Sequence, residues 1–246
     1  MKIFEKMIFA GFFLLAGVAI GWVIKGKHLN IILSVYLPAL ATLFATYLGA
    51  KYAFDLHSNK EKSENKNKNI ISGNFTIFNI IRMINSLINY KTQIIDPVRN
   101  KPSAFLEMRP TPHWDKNDIS IKFEDLSFLL GMDDVNLLGE LSLAEEKYKK
   151  ALDAINLRST IHLQEAQPKI ELKGIKEGGD YSMDHLEKLL GNRLFIILKR
   201  STQEVIEHVE EAIAYLESTG NKLNQILESA YPQEKTLSIL MPENKE

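Results

Sequence analysis

The chain has 246 residues, a quarter of them charged, with a formal net charge of -1. It is long enough for one sizeable folded domain plus an attachment, and length alone does not force two globular domains. It has no cysteine, which excludes a disulfide framework, a thiol nucleophile and a Cys-ligated zinc site.

Charge is unevenly placed. Residues 1 to 69 hold nine lysines against four acids, so the remainder is net acidic. An acidic body makes direct nucleic-acid binding an unfavoured function.

From Met7 to Ile24 the chain reads MIFAGFFLLAGVAIGWVI without a charge, about 27 Å as a helix, close to the ~30 Å hydrocarbon core of a bilayer. A second uncharged run, Leu29 to Ala50, would be about 33 Å long. The four-residue loop KGKH joins them. The pattern predicts a transmembrane helical hairpin over residues 1–57, with spans at about 7–24 and 29–50. A cleaved signal peptide is the competing reading of the first run, but that run is long for one and a second follows at once. Lys2 and Lys6 before the hairpin and Lys51, Lys60, Lys62, Lys66 and Lys68 after it outnumber Lys25 and Lys27 in the loop. That imbalance places both termini in the cytoplasm.

Gly17 and Gly21 stand four apart in the first run, and Ala41, Ala45 and Gly49 recur every fourth position in the second. Small residues at that spacing let helix backbones approach closely in lipid, so these five are the candidate packing residues, either within one hairpin or between copies. Pro38 removes the amide that would bond the carbonyl of Ser34 and is the expected kink. Neither run contains Asp, Glu, Lys or Arg, which disfavours an ion-coupled transporter.

"SNKEKSENKNKN", residues 58–69, lacks large apolar side chains and reads as a solvated linker or a frayed helical stalk. Residues 70–246 are then a cytosolic helical domain. Ile70 to Ile95 predicts an amphipathic helix, with Asn79, Arg82, Ser86 and Asn89 opposite Ile77, Ile81, Ile84 and Ile88; it either joins the core or lies on the membrane. Prolines mark residues 96–118 as loop, where His113 and Trp114 offer either a recognition surface or, for Trp114, a plug at one edge of the core.

"ISIKFEDLSFLL" alternates like a strand and then turns helical, and both readings stand. Asp133 and Asp134 are cap candidates for a helix running to about Gln167, with Leu141, Ala144, Tyr148, Ala151, Ile155, Arg158 and His162 on one face. A turn containing Gly178 and Gly179 follows, with Ser182 or Asp184 as the next cap. An apolar stripe through Leu186, Leu190, Leu194, Ile197, Val205, Val209, Ala212 and Leu216 is expected to stop at Gly220. A last short helix is expected before Pro232. The fold class expected is all-α, an elongated bundle with coiled-coil character carried on the hairpin.

No histidine has metal-ligand spacing and no phosphate-binding or nucleophile motif occurs; no catalytic residue, metal or cofactor is expected. Three function classes remain: a membrane-perturbing effector held in check by a partner, a passive tether or scaffold, and an enzyme with an unrecognised acidic or histidine site.

Two N-terminal spans, a short hairpin loop, a charged linker and a helical body rich in lysine and asparagine make the chain resemble the two-transmembrane effectors of bacterial phage-defence systems, including those paired with retron reverse transcriptases. The resemblance is one of layout over the whole chain. It implies a protein silent while bound to a partner such as a reverse transcriptase complex, which on infection self-associates, permeabilises the inner membrane and arrests or kills the host. The acidic body implies that the partner contact is with protein.

Overall fold

The computed structural model describes residues 37–115, 117–132, 134–174 and 181–239, together with Gly17 and Gly21. Among these residues there is no strand, and the elements are all helical. The chain divides into two units, Met1–Asn65 and Lys66–Glu246. The first predicted span, the hairpin loop and residues 29–36 lie outside the described residues, apart from the two glycines, as do Asp133, Gly178 and Gly179.

Helix α1, Leu37–Tyr90, supplies residues to both units. The stretch 58–69 is helical within it, which is the stalk reading of the charged segment. The segment is rich in lysine and glutamate, both good helix formers, and propagation from helix already present on either side adds one hydrogen bond per residue fixed. Lys60 and Glu64 pair at 3.8 Å across one turn.

In the first unit the described side chains from Pro38 onward are mostly exposed, including Leu43, Phe44 and Leu48. The hydroxyls of Thr42 and Thr46 donate back to the carbonyls of Pro38 and Thr42, each at 2.8 Å. No helix among the described residues is long and apolar enough to cross a membrane; of the second predicted span only residues 37–50 are described.

The second unit is a helical body. α1 continues through a π-turn, Lys91–Ile95, into a loop region that carries the short helix α2, Ala104–Glu107, and a 3₁₀ segment, Phe123–Gly131. The ambiguous "ISIKFEDLSFLL" therefore forms no strand; Ile119, Ile121, Leu126 and Leu129 are instead buried as it crosses the core. Helix α3, Leu137–Ile161, runs through a π-turn, His162–Ala166, into α4, Gln167–Lys173. Pro168 thus sits in the first turn of a new helix, where its missing amide costs nothing, and does not end the helical path. Helix α5, Met183–Leu190, is capped by the Ser182 hydroxyl, which accepts from the His185 amide at 3.3 Å. Gly191, at φ 84, separates it from α6, Asn192–Ala230.

α6 does not stop at Gly220. That glycine is buried in mid-helix, and a methyl group there would meet Ile239 and stand 3.1 Å from Ile80. It is glycine because a neighbour occupies the space, and not because the backbone turns left-handed. The expected last short helix is the end of α6.

Most of the apolar interior is one core formed by α1, α3 and α6, from Ile77, Ile80, Met83 and Leu87 to Leu141, Leu152, Ile155, Val205, Val209 and Leu216. All seven residues expected on the inner face of α3 are buried, Arg158 and His162 included. On α1 the predicted stripe is rotated: Asn79 is buried and donates to the Ser120 carbonyl at 3.0 Å, while Ile81 and Ile88 are half-buried and Met83 and Leu87 are inside. A smaller core of Phe105, Ala166, Leu186, Leu190, Leu194 and Leu198 gathers α2, α5 and the start of α6 beside the π-turn.

Candidate functional site

The residues expected to pack in lipid are all exposed in the described structure. Gly17 and Gly21 are helical and exposed, and Ala41, Ala45 and Gly49 are exposed on α1. A methyl group at Gly17, Gly21 or Gly49 would meet no described atom within 4 Å. Pro38 is the second described residue of α1, and the carbonyl of Ser34 lies outside the described residues.

Trp114 serves as a core plug. It is half-buried against the main core, with its ring edge-on to Tyr90 at 6.0 Å and 88°, a favourable geometry for two aromatic quadrupoles. Its main chain is held by Asn156 of α3. His113 beside it is exposed. The half-buried Trp114 ring packs on the core, and the His113 side chain stands in solvent next to it.

Arg158 lies on the inner face of α3, as its spacing predicts. The guanidinium is fully buried. Its Nη2 donates to the Phe105 carbonyl at 3.1 Å and its Nε to the Thr202 hydroxyl at 3.3 Å, while Nη1 has no partner among the described residues. Among the described residues no carboxylate acts on it; burial pushes its pKa down to about 10, and Tyr90 opposes that. Tyr90 is itself pushed up to about 12 by burial, with Arg158 opposing. At the start of the π-turn, His162 Nε2 is 3.2 Å from the Leu106 carbonyl, so the neutral ring carries its proton there, and Nδ1 is without a partner among the described residues. Burial first, and Arg158 second, hold His162 below the ordinary histidine value.

Ser159, Ser201 and Thr202 are buried beside these groups. Ser159 accepts from the Thr111 amide at 3.1 Å. The result is a polar seam between the main core and the smaller one. Buried charges are ordinarily paired, and an unpaired donor of this kind calls for a specific account.

A surface hollow of about 590 Å³ lies along α6 beside Lys199, Arg200, Glu204 and Glu207. Its carboxylates are engaged: Arg200 donates to Glu204 at 2.8 Å and Gln203 to Glu207 at 2.9 Å. Among the described residues no group of three or more His, Asp or Glu side chains could hold a metal ion. Glu204 pairs with Arg200, and His208 approaches Glu211 at 4.0 Å.

No protein-family model matches the chain, and neither the curated proteins nor the solved structures contain a match.

Proposed function

We propose that this chain is a membrane-anchored effector of a bacterial antiviral defence system. Residues 7–24 and 29–50 insert in the inner membrane as a hairpin with both termini cytoplasmic. The helical body is held by a protein partner. Release lets hairpins associate through Gly17, Gly21, Ala41, Ala45 and Gly49, with Pro38 as the bendable point, and the bilayer becomes permeable. The resemblance in layout to retron-associated effectors makes a reverse transcriptase complex the first partner to try.

One observation carries the membrane part of this reading. At the start of α1, residues 37–50 are uncharged, Leu43, Phe44 and Leu48 stand exposed, and both threonine hydroxyls are bonded to their own helix. In water such a surface is unfavourable, because it exposes apolar area and uses its polar groups internally. In hydrocarbon the same two properties are what a helix requires.

The test is membrane potential, read with a voltage-sensitive dye in cells expressing the chain alone, then with Gly17→Leu, Gly21→Leu and Ala45→Leu. Depolarisation that the leucine variants abolish at equal membrane levels supports the effector. An unchanged potential, persisting during phage challenge with the native neighbouring genes present, makes the chain a passive tether whose body binds protein.

A further inference from the structure

After α6 the chain lies along the body as a non-helical strap, residues 235–239. One side chain of α1 grips its main chain: Asn74 Nδ2 donates to the Lys235 carbonyl at 3.1 Å, and Asn74 Oδ1 accepts from the Leu237 amide at 2.8 Å. Just before the strap, Glu234 pairs with Lys66 at 2.9 Å. At its far end Ile239 seats on Gly220 of α6, where Ile80 of α1 also approaches. The groove between α1 and α6 thus reads three things: an acid, a main chain three residues on, and an apolar side chain two residues beyond that. Grooves that recognise peptides divide the work in this way, with main-chain bonds for affinity and pockets for specificity.

The strap is held as a ligand is held. Residues 232–235, 237 and 238 are exposed, and among the described residues after α6 only Tyr231 and Ile239 pack on the main core. Pro232 cannot continue the helix, and a single turn, closed by the Glu234 amide on the Tyr231 carbonyl at 3.0 Å, leads from α6 into the strap. We propose that this groove is an exchangeable peptide site and that its second ligand is the strap of another copy of this chain. Straightening the turn carries the strap off its own body, since four extended residues reach about 13 Å. A second copy brings the acid, the main chain and the isoleucine at the spacing the groove already fits, so exchange needs no new complementarity and closes as a two-fold pair. Bonds lost within one chain are regained between two, and the balance is set by how concentrated the copies are. The contact joins bodies and does not depend on the hairpin reading.

The chain has no cysteine, so thiols can be placed singly. Two full-length forms, one Lys66→Cys and the other Glu234→Cys, are co-expressed with different tags, purified in detergent and treated with a short bis-maleimide. Neither form carries both thiols, so a cross-linked heterodimer reports a strap seated in another copy's groove. Ile239→Asp in the Glu234→Cys form should lower the heterodimer yield about tenfold, and Asn74→Ala in the Lys66→Cys form about threefold. If Ile239→Asp does not fold, Asn74→Ala decides alone. A chain carrying both thiols measures the strap in its own groove. Absence of the heterodimer, with or without that internal cross-link, would overturn the proposal. A heterodimer that neither variant reduces would overturn it as well, because hairpin association or collision would then account for it.

Discussion

Asn156 holds the main chain of Trp114 from both sides: its side-chain oxygen accepts the Trp114 amide at 2.9 Å and its side-chain nitrogen donates to the Trp114 carbonyl at 2.9 Å. A planar carboxamide thus replaces the strand partner that an extended loop would otherwise need. Asn156→Ala leaves both groups without that partner and should cost about 1 to 3 kcal/mol of stability. Urea unfolding measures the loss, and in a Trp22→Phe background the emission of Trp114 should shift to the red.

Gly73 permits the close approach of α1 and α6. A methyl group there would lie 2.6 Å and 2.8 Å from the two terminal carbons of Leu227, which is fully buried. Helix propensity alone favours alanine by about 1 kcal/mol, but overpacking at such a contact costs ~1–3 kcal/mol. Gly73→Ala should therefore be neutral to destabilising, against propensity. Leu227→Ala should cost about 2 to 5 kcal/mol by opening a cavity. The double variant should lose less than the sum of the two, which a double-mutant cycle in denaturant reads directly.

Acid should weaken the body in two phases. His162 is held below the ordinary histidine value by burial and by Arg158, so between the two values the unfolded chain binds more protons and stability falls as pH drops below about 6.5. Glu107, Asp134 and Glu211 are held below the ordinary carboxylate range, chiefly by bonds to Lys101, Lys222 and Lys147. Their contribution is present above about pH 4 and disappears as they protonate. Thermal midpoints across pH 3–8 should show both phases. His162→Gln should flatten the first and spare the second.

The division of the chain at Asn65 and Lys66 makes a further prediction. Proline in a helix interior costs ~3 kcal/mol locally, yet Asn65→Pro should leave the unfolding midpoint of the 66–239 body unchanged, because the turn it disrupts precedes that unit. Urea unfolding followed by Trp114 emission is the measurement. A fall of several degrees in a thermal scan would place the boundary further upstream.

The inner face of α3 was legible because its pattern is local: Leu141, Ala144, Tyr148, Ala151 and Ile155 recur at helical steps, and tertiary packing only ratified them. α1 was misphased because Asn79 looks like a surface residue. Its burial depends on the Ser120 carbonyl, 41 positions away, which no local window contains. Gly220 failed for a related reason, since a helix-ending glycine and a glycine under a foreign side chain look alike until Ile239 is placed. The polar seam was half visible. Arg158 and His162 were assigned to the buried face, but the lack of a counter-charge among the described residues is a property of three elements meeting and has no sequence signature.

The segment after α6 returns to the beginning of the body. Tyr231 accepts from Asn69, Glu234 pairs with Lys66 at 2.9 Å, Asn74 exchanges bonds with Lys235 and Leu237, and Ile239 seats on Gly220. The bonds made by Asn69 and Asn74 join residues more than 160 positions apart. A ribosome adding ~5–20 residues per second needs roughly 7 to 30 s to pass from Tyr90 to Ile239. For that interval Ile77, Ile80 and Ile84 are made and lack their full set of core partners. The growing chain therefore carries an exposed apolar helix before it can close its own body, and the order of synthesis gives chaperones the first opportunity to bind it.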